Sequence, residues 1–272
     1  MLRLVVDGAA VQCERYPPSA GEGGEAGPSS GPSLLFLHEG LGSLTQWQDF
    51  PADLCARTDR VGWAWARAGH GRSQPLPRPR GADFLHREAV VVLPELVARL
   101  GVDRPVLVGH SDGASIALIA AGLSPGAYRS IVLIAPHVFL EDCTRDAIAA
   151  LGRRYRERGL GPRLARHHDD AEGLFWSWHD AWLSPAFADW DLTELLSGID
   201  VPVLVVQGRD DEYGTMAQLD AIEAGVNATV LRLEVDGCGH APHLEAREVT
   251  LAAVEAFLEA PGQADKVDER RG

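Results

Sequence analysis

The residues best suited to chemistry stand together at Gly109-His110-Ser111-Asp112-Gly113. A serine becomes a nucleophile only when a base takes its proton. The G-x-S-x-G spacing suits a sharp turn that lifts Ser111 Oγ clear of its surroundings. Apolar Pro105–Val108 precedes this turn and the small-residue run Ala114–Gly122 follows it, so the spacing predicts strand, turn, helix. The helix N-terminus would offer the Asp112 N–H to a developing oxyanion. A base and an orienting acid are then needed, each just past a later strand. After Val201–Val206 comes Gln207-Gly208-Arg209-Asp210-Asp211-Glu212, which offers Asp210 or Asp211, with Asp211 preferred. After Thr229–Val235 comes Asp236-Gly237-Cys238-Gly239-His240, which offers His240 as base. His243 is the alternative base, and Glu141 or Asp142 a third choice of acid. The second oxyanion donor is expected from His38-Glu39-Gly40-Leu41-Gly42, with the Gly40 N–H first and Leu41 next.

These groups need a frame. Leu2–Val6 and Ala10–Tyr16 read as a hairpin turning at Asp7–Gly8. Leu34–Leu37, Val61–Ala66 and Ile131–Ala135 are further strands. Phe84–Leu100 has a helical apolar spacing, with Pro94 expected to kink it or to mark a tighter start. Ala217–Glu223 and Ala246–Leu258 are later helices. Nearly all-apolar strands alternating with helices predict an α/β protein whose mostly parallel sheet is flanked by helices. Phe139 to Ser197 breaks that rhythm and holds four of the seven tryptophans. It is read as a helical cap, 139–197, over a core of 1–138 and 198–260. Glu39, His137, Trp176, Trp178 and Trp182 are the expected substrate-binding residues. His167-His168-Asp169-Asp170 is read as a solvated cap surface, because adjacent residues do not share a helix face. His110 is expected to pack beside the turn with no part in proton transfer. Pro17–Pro32 reads as a mobile loop and 261–272 as a flexible tail.

Composition narrows the chemistry. The only lysine among 272 residues is Lys266, in the polar tail, which excludes a P-loop and a Schiff-base cofactor. The four cysteines form no CxxC pair, so zinc-ribbon and thioredoxin-like readings are weak. A net charge of −14 argues against nucleic acid or an anionic membrane as partner. No apolar run approaches a membrane span, and Met1–Gly8 has no leader-like apolar core. The expectation is a cytoplasmic, reduced protein with a small-molecule substrate, no cofactor and no metal. Its oligomeric state is left open.

At these residues the chain resembles the α/β-hydrolase superfamily, over about Leu2 to Leu258. The resemblance implies the α/β-hydrolase fold and the chain order Ser, acid, His. It maps the acid to Asp211, three residues after Gly208, and the base to His240 within Gly239-His240-Ala241-Pro242. Arg67-Ala68-Gly69-His70-Gly71-Arg72-Ser73 matches the family's R-x-G-x-G-x-S turn. Two departures stand out. His38-Glu39-Gly40 replaces the usual His-Gly-x, which leaves the register of the oxyanion loop open by one residue and places a carboxylate near the site. Asp112 directly after the serine resembles esterases of the valacyclovir-hydrolase type. The implied activity is a serine hydrolase cleaving an ester or lactone of a small carboxylic acid through an acyl-enzyme. The alternatives are a C–C bond hydrolase or amidase of the same fold, or a non-catalytic ligand receptor that keeps it.

Overall fold

A computed structural model describes residues 1–18, 31–76, 79–157 and 159–260. Most of the expected loop at 17–32 and all of the expected tail at 261–272, with Lys266, lie outside the described residues. The strands are β1 (Leu2–Val6), β2 (Ala9–Tyr16), β3 (Leu34–Leu37), β4 (Gly62–Ala66), β5 (Val106–His110), β6 (Ile131–Ile134), β7 (Val203–Gly208) and β8 (Val230–Val235). They form one sheet in the order β1-β2-β4-β3-β5-β6-β7-β8. β1 and β2 are antiparallel to their neighbours, and the ladders from β4 to β8 are parallel.

Side-chain alternation along the strands divides the core. Leu34 and Phe36 face a layer built from α1 (Phe50–Thr58) and, near the C-terminus, α10 (Pro242–Glu245) and α11 (Arg247–Glu259). Leu35 and Leu37 face the other layer, built from α2 (Phe84–Arg87), α3 (Leu93–Leu100), α4 (Asp112–Leu123) and α9 (Ala217–Gly225). Between β6 and β7 the chain inserts α5 (Asp142–Glu157), α6 (Leu160–Leu164), α7 (Ala171–Trp182) and α8 (Thr193–Leu196).

Two local expectations are corrected. The stretch 84–100 is helical throughout, but Glu88–Val92 forms a wider π turn rather than a tighter one. Pro94 has no N–H to donate and its ring crowds the carbonyl four residues back, so the preceding turn opens. β7 begins two residues later than read, because Pro202 cannot donate to a ladder. Its carbonyl instead accepts the Ile131 N–H at 3.0 Å.

The strand order reverses beside β3: β4 lies on one side of it and β5 on the other. In open α/β sheets the strand C-termini at such a reversal leave a crevice. The loop after β3 and the turn after β5 both open there.

Candidate active site

Ser111 sits between β5 and α4 with φ +51° and ψ −117°. This left-handed backbone is costly for a non-glycine residue and holds the side chain up from the sheet edge. The flanking glycines have a steric reason. A Cβ on Gly109 would run into the Gly113 carbonyl, and one on Gly113 into the Leu37 carbonyl of β3. Only bare backbone lets strand, turn and helix approach this closely.

His240 Nε2 lies 2.9 Å from Ser111 Oγ. Its Nδ1 faces both oxygens of Asp211, each at 2.9 Å. Asp211 also accepts the Tyr213 N–H at 2.8 Å and Gln207 Nε2 at 3.2 Å. Burial alone would push its carboxyl up. The hydrogen bond and charge of His240, with the Tyr213 N–H, instead bring it below the usual range. Neither Asp210 nor His243 joins this chain. Asp210 is exposed. His243 is buried with its ring 4.5 Å from His110 and 5.0 Å from Trp47. Glu141 is engaged elsewhere, accepting from Thr215 and Gln218, and Asp142 opens α5. His110 Nε2 donates to the His240 carbonyl at 2.8 Å, which ties the His240 loop to the turn.

A cavity of about 210 Å³ lies over Ser111, with Glu39, Gly40, Leu41, Asp112, His137 and His240 on its wall. None of the backbone N–H groups of Gly40, Leu41 and Asp112 donates to an acceptor among the described residues. Asp112 is almost wholly buried, 4.0 Å from Arg67. Burial raises its carboxyl above the usual range, against the charges of Arg67 and Arg80. His137 Nε2 donates to the Tyr213 carbonyl at 3.1 Å, and Ser115 Oγ donates to the His137 carbonyl at 2.7 Å. Burial lowers the His137 pKa to about 4, so the ring is neutral at pH 7.

Trp178 and Trp182 line the cavity, but Trp176 does not. Trp176 packs on Tyr155 at 5.4 Å and under the Arg156 guanidinium at 4.4 Å. On α7 it points about 200° from Trp178, two residues on, so the two indoles serve different faces. Residues not anticipated from the sequence complete the wall: Thr144, Ile148, Leu151, Leu160 and Tyr213. The spacing 144, 148, 151 is one face of a helix and was a usable signal. The reading of 167–170 as solvated surface fails at its centre. His168 is 2% exposed and bonds to the core. It lies in the loop between α6 and α7, where the helix-face rule does not apply. Among the described residues, no group of three or more His, Cys, Asp or Glu side chains is placed to hold a metal ion. Nor is any helix long and apolar enough to cross a membrane.

The sheet order, the strained serine turn and the Ser–His–Asp hydrogen bonds together define a hydrolase of the α/β class. Residues 34–253 match the model of the alpha/beta hydrolase family, and the chain belongs to that family. It is 28% identical to the human serine hydrolase BPHL over 206 residues, 72% of this chain and 68% of that protein. It is 27% identical to a non-heme chloroperoxidase of Streptomyces lividans, covering 79% of this chain and 87% of that one. In fold it is similar to the proline iminopeptidase of Mycobacterium smegmatis, with a TM-score of 0.70 at 20% identity over 94% of this chain and 97% of that one.

Proposed function

We propose that this chain is a serine esterase acting on an ester or lactone of a small carboxylic acid. The observation that carries this reading is the unbroken hydrogen-bonded path from Ser111 Oγ through His240 to Asp211. Ser111 Oγ attacks the carbonyl carbon as His240 Nε2 takes its proton. Asp211 holds the other ring N–H and stabilises the imidazolium. The oxyanion rests on the N–H groups of Asp112 and Gly40, with Leu41 beside them. His240 then protonates the leaving alkoxide oxygen, and the C–O bond breaks to leave an acyl-enzyme. Water, deprotonated by His240, releases the acid and restores the Ser111 hydroxyl.

The helices of 139–197 serve as the cap. Ile148, Leu151, Leu160, Trp178 and Trp182 make the acyl pocket apolar, and its volume suits a small acyl group. Asp112 and Glu39 favour neutral or cationic substrates. The serine chemistry named for the human relative agrees with Ser111 as nucleophile. The decisive assay is multiple turnover of short-chain p-nitrophenyl esters. Sustained turnover that disappears in Ser111→Ala is the expected result. A single stoichiometric burst would identify a receptor that keeps the fold, and turnover surviving in Ser111→Ala would remove Ser111 as nucleophile.

A further inference from the structure

The oxyanion loop 38–42 is held by its carbonyls. The Glu39 carbonyl accepts from His38 Nδ1 at 2.7 Å, Arg67 Nη2 at 2.9 Å and the Gly42 N–H at 3.0 Å. The Leu41 carbonyl accepts from His168 Nε2 at 2.9 Å and Gln46 Nε2 at 3.0 Å. The Gly42 carbonyl accepts from His70 Nδ1 at 2.9 Å.

Each of these three rings has a single possible tautomer. A carbonyl has no proton, so the ring nitrogen facing it must carry one. The opposite nitrogen of each ring faces a group that can only donate. His38 Nε2 accepts the Arg67 N–H at 3.1 Å, His70 Nε2 accepts from Arg80 Nη2 at 2.6 Å, and His168 Nδ1 accepts the Gly71 N–H at 2.9 Å. All three rings are therefore neutral, with every ring nitrogen used.

Planar trans peptides convert these contacts into aim. The Glu39 carbonyl and the Gly40 N–H belong to one peptide and point in opposite directions, so pinning the carbonyl aims the N–H. The Leu41 carbonyl and the Gly42 N–H belong to the next peptide but one, and that N–H is itself a donor to the Glu39 carbonyl. His168 thus acts on the Gly40 N–H through two peptide planes.

His38 and His70 come from the core, whereas His168 comes from the inserted segment, between α6 and α7. Its neighbours dock there as well. The Asp169 N–H donates to the Gly71 carbonyl at 2.9 Å, Asp169 pairs with Arg72, and His167 Nδ1 bonds Thr45 Oγ1 at 2.8 Å.

We propose that His168 is a positioning residue of the oxyanion hole, delivered by the cap, so that the hole is fully formed only when the cap is seated. This rests on the serine-esterase reading above. The test compares His168→Ala, His168→Gln and His168→Asn with wild type on one p-nitrophenyl ester. Thermal midpoint and inhibition by an aryl trifluoromethyl ketone, whose adduct carries an oxyanion, are measured on the same preparations. Deleting one oxyanion donor costs about 10²–10³ in kcat. Misaiming one is expected to cost on the order of 10–10² in His168→Ala, with KM within about threefold and ketone affinity falling in step with kcat. His168→Gln, whose amide nitrogen can reach the Leu41 carbonyl, should recover most of the loss. His168→Asn, whose shorter amide reaches only the Gly71 side, should not. The inference is overturned if His168→Ala keeps its kcat, if KM rises while kcat holds, or if Gln is no better than Asn. Should the alanine variant fail to fold, the Gln and Asn pair decides alone. A fluorophosphonate control separates the two readings. Wild type left unlabelled and inactive would sink the serine-esterase reading itself, whereas labelled, active wild type beside an unimpaired His168→Ala sinks only this inference.

Discussion

At the scale of single residues, the site puts its strain and its charge where the proposed reaction uses them. Ser111 holds a left-handed backbone and has a hydrogen-bonded base within 2.9 Å. Ser111→Ala is expected to lower kcat on the order of 10⁶ with little change in stability, read by ester turnover and thermal melting. Asp211→Asn should cost up to about 10⁴ in kcat, because the ring then loses its tautomer and its counter-charge. Asp210→Asn, an exposed change, should fall within a few-fold in the same paired assay. Asp112 is offset in part by Arg67 at 4.0 Å, and the residue lies on the wall of the cavity. A matched pair of esters differing by an α-amino group should reveal it. Asp112→Asn is expected to reduce kcat/KM for the amino ester about tenfold more than for its partner, or ~1.4 kcal/mol. An equal loss on both esters would make Asp112 structural. Most of these residues were legible as sequence. Ser111, Asp211 and His240 fall just past strands recognisable by apolar run length, and glycines mark their turns. Asp211 and Asp210 are adjacent and chemically identical, so the count from Gly208 only ranks them and geometry separates them. The buried environment that selects one is built by Tyr213, Gln207 and His240 together.

At the scale of elements, close backbone approach is what makes the turn after β5 possible. α4 packs onto β3, β5 and β6, and Gly113 is where it meets the Leu37 carbonyl. Gly113→Ala would press a methyl against the backbone of Leu37 and His38 at the end of β3. It is expected to destabilise the fold by about 3 kcal/mol or more, as measured by urea unfolding. A neutral result would mean that α4 can slide, and the oxyanion geometry with it. Apolar periodicity revealed nearly every strand and the long helices. It did not reveal the π turn before Pro94, because both a kinked and a widened helix satisfy the same pattern of buried positions. Nor did it place Trp176, whose face depends on where α7 lies over the cavity.

At the scale of the whole molecule, the buried histidines make the fold acid-sensitive. Burial lowers His137 and His168 to about 4, and holds His38, His70 and His243 well below the ordinary histidine value. The unfolded chain takes up protons near pH 6.5, where the folded chain does not. Stability therefore rises with pH across this window and falls as pH drops from about 6.5 to about 4. The loss is about 1.4 kcal/mol per pH unit for each fully coupled histidine. Asp211, held below its usual range, adds to the loss in acid, while the raised carboxyls of Asp112 and Glu88 oppose it. Urea midpoints at pH 7.5, 6.0 and 5.0 should fall in that order. A flat profile would mean that these rings take up protons in the folded state as readily as in the unfolded chain.

Sequence by itself determined the alternation of strands and helices, the family resemblance, the serine turn and the order of Ser111, Asp211 and His240, the residues proposed to react. Each of these is local: a run of apolar residues, a glycine beside a polar side chain, a count from one strand end to the next. Tertiary structure brought Asp211 rather than Asp210 to His240, left Trp176 off the cavity wall, and put His168 in the core rather than solvent. Those outcomes depend on segments 29 to 127 residues apart meeting in space. The polar groups of one then complete the hydrogen bonds of another, and no spacing within either segment records that partner.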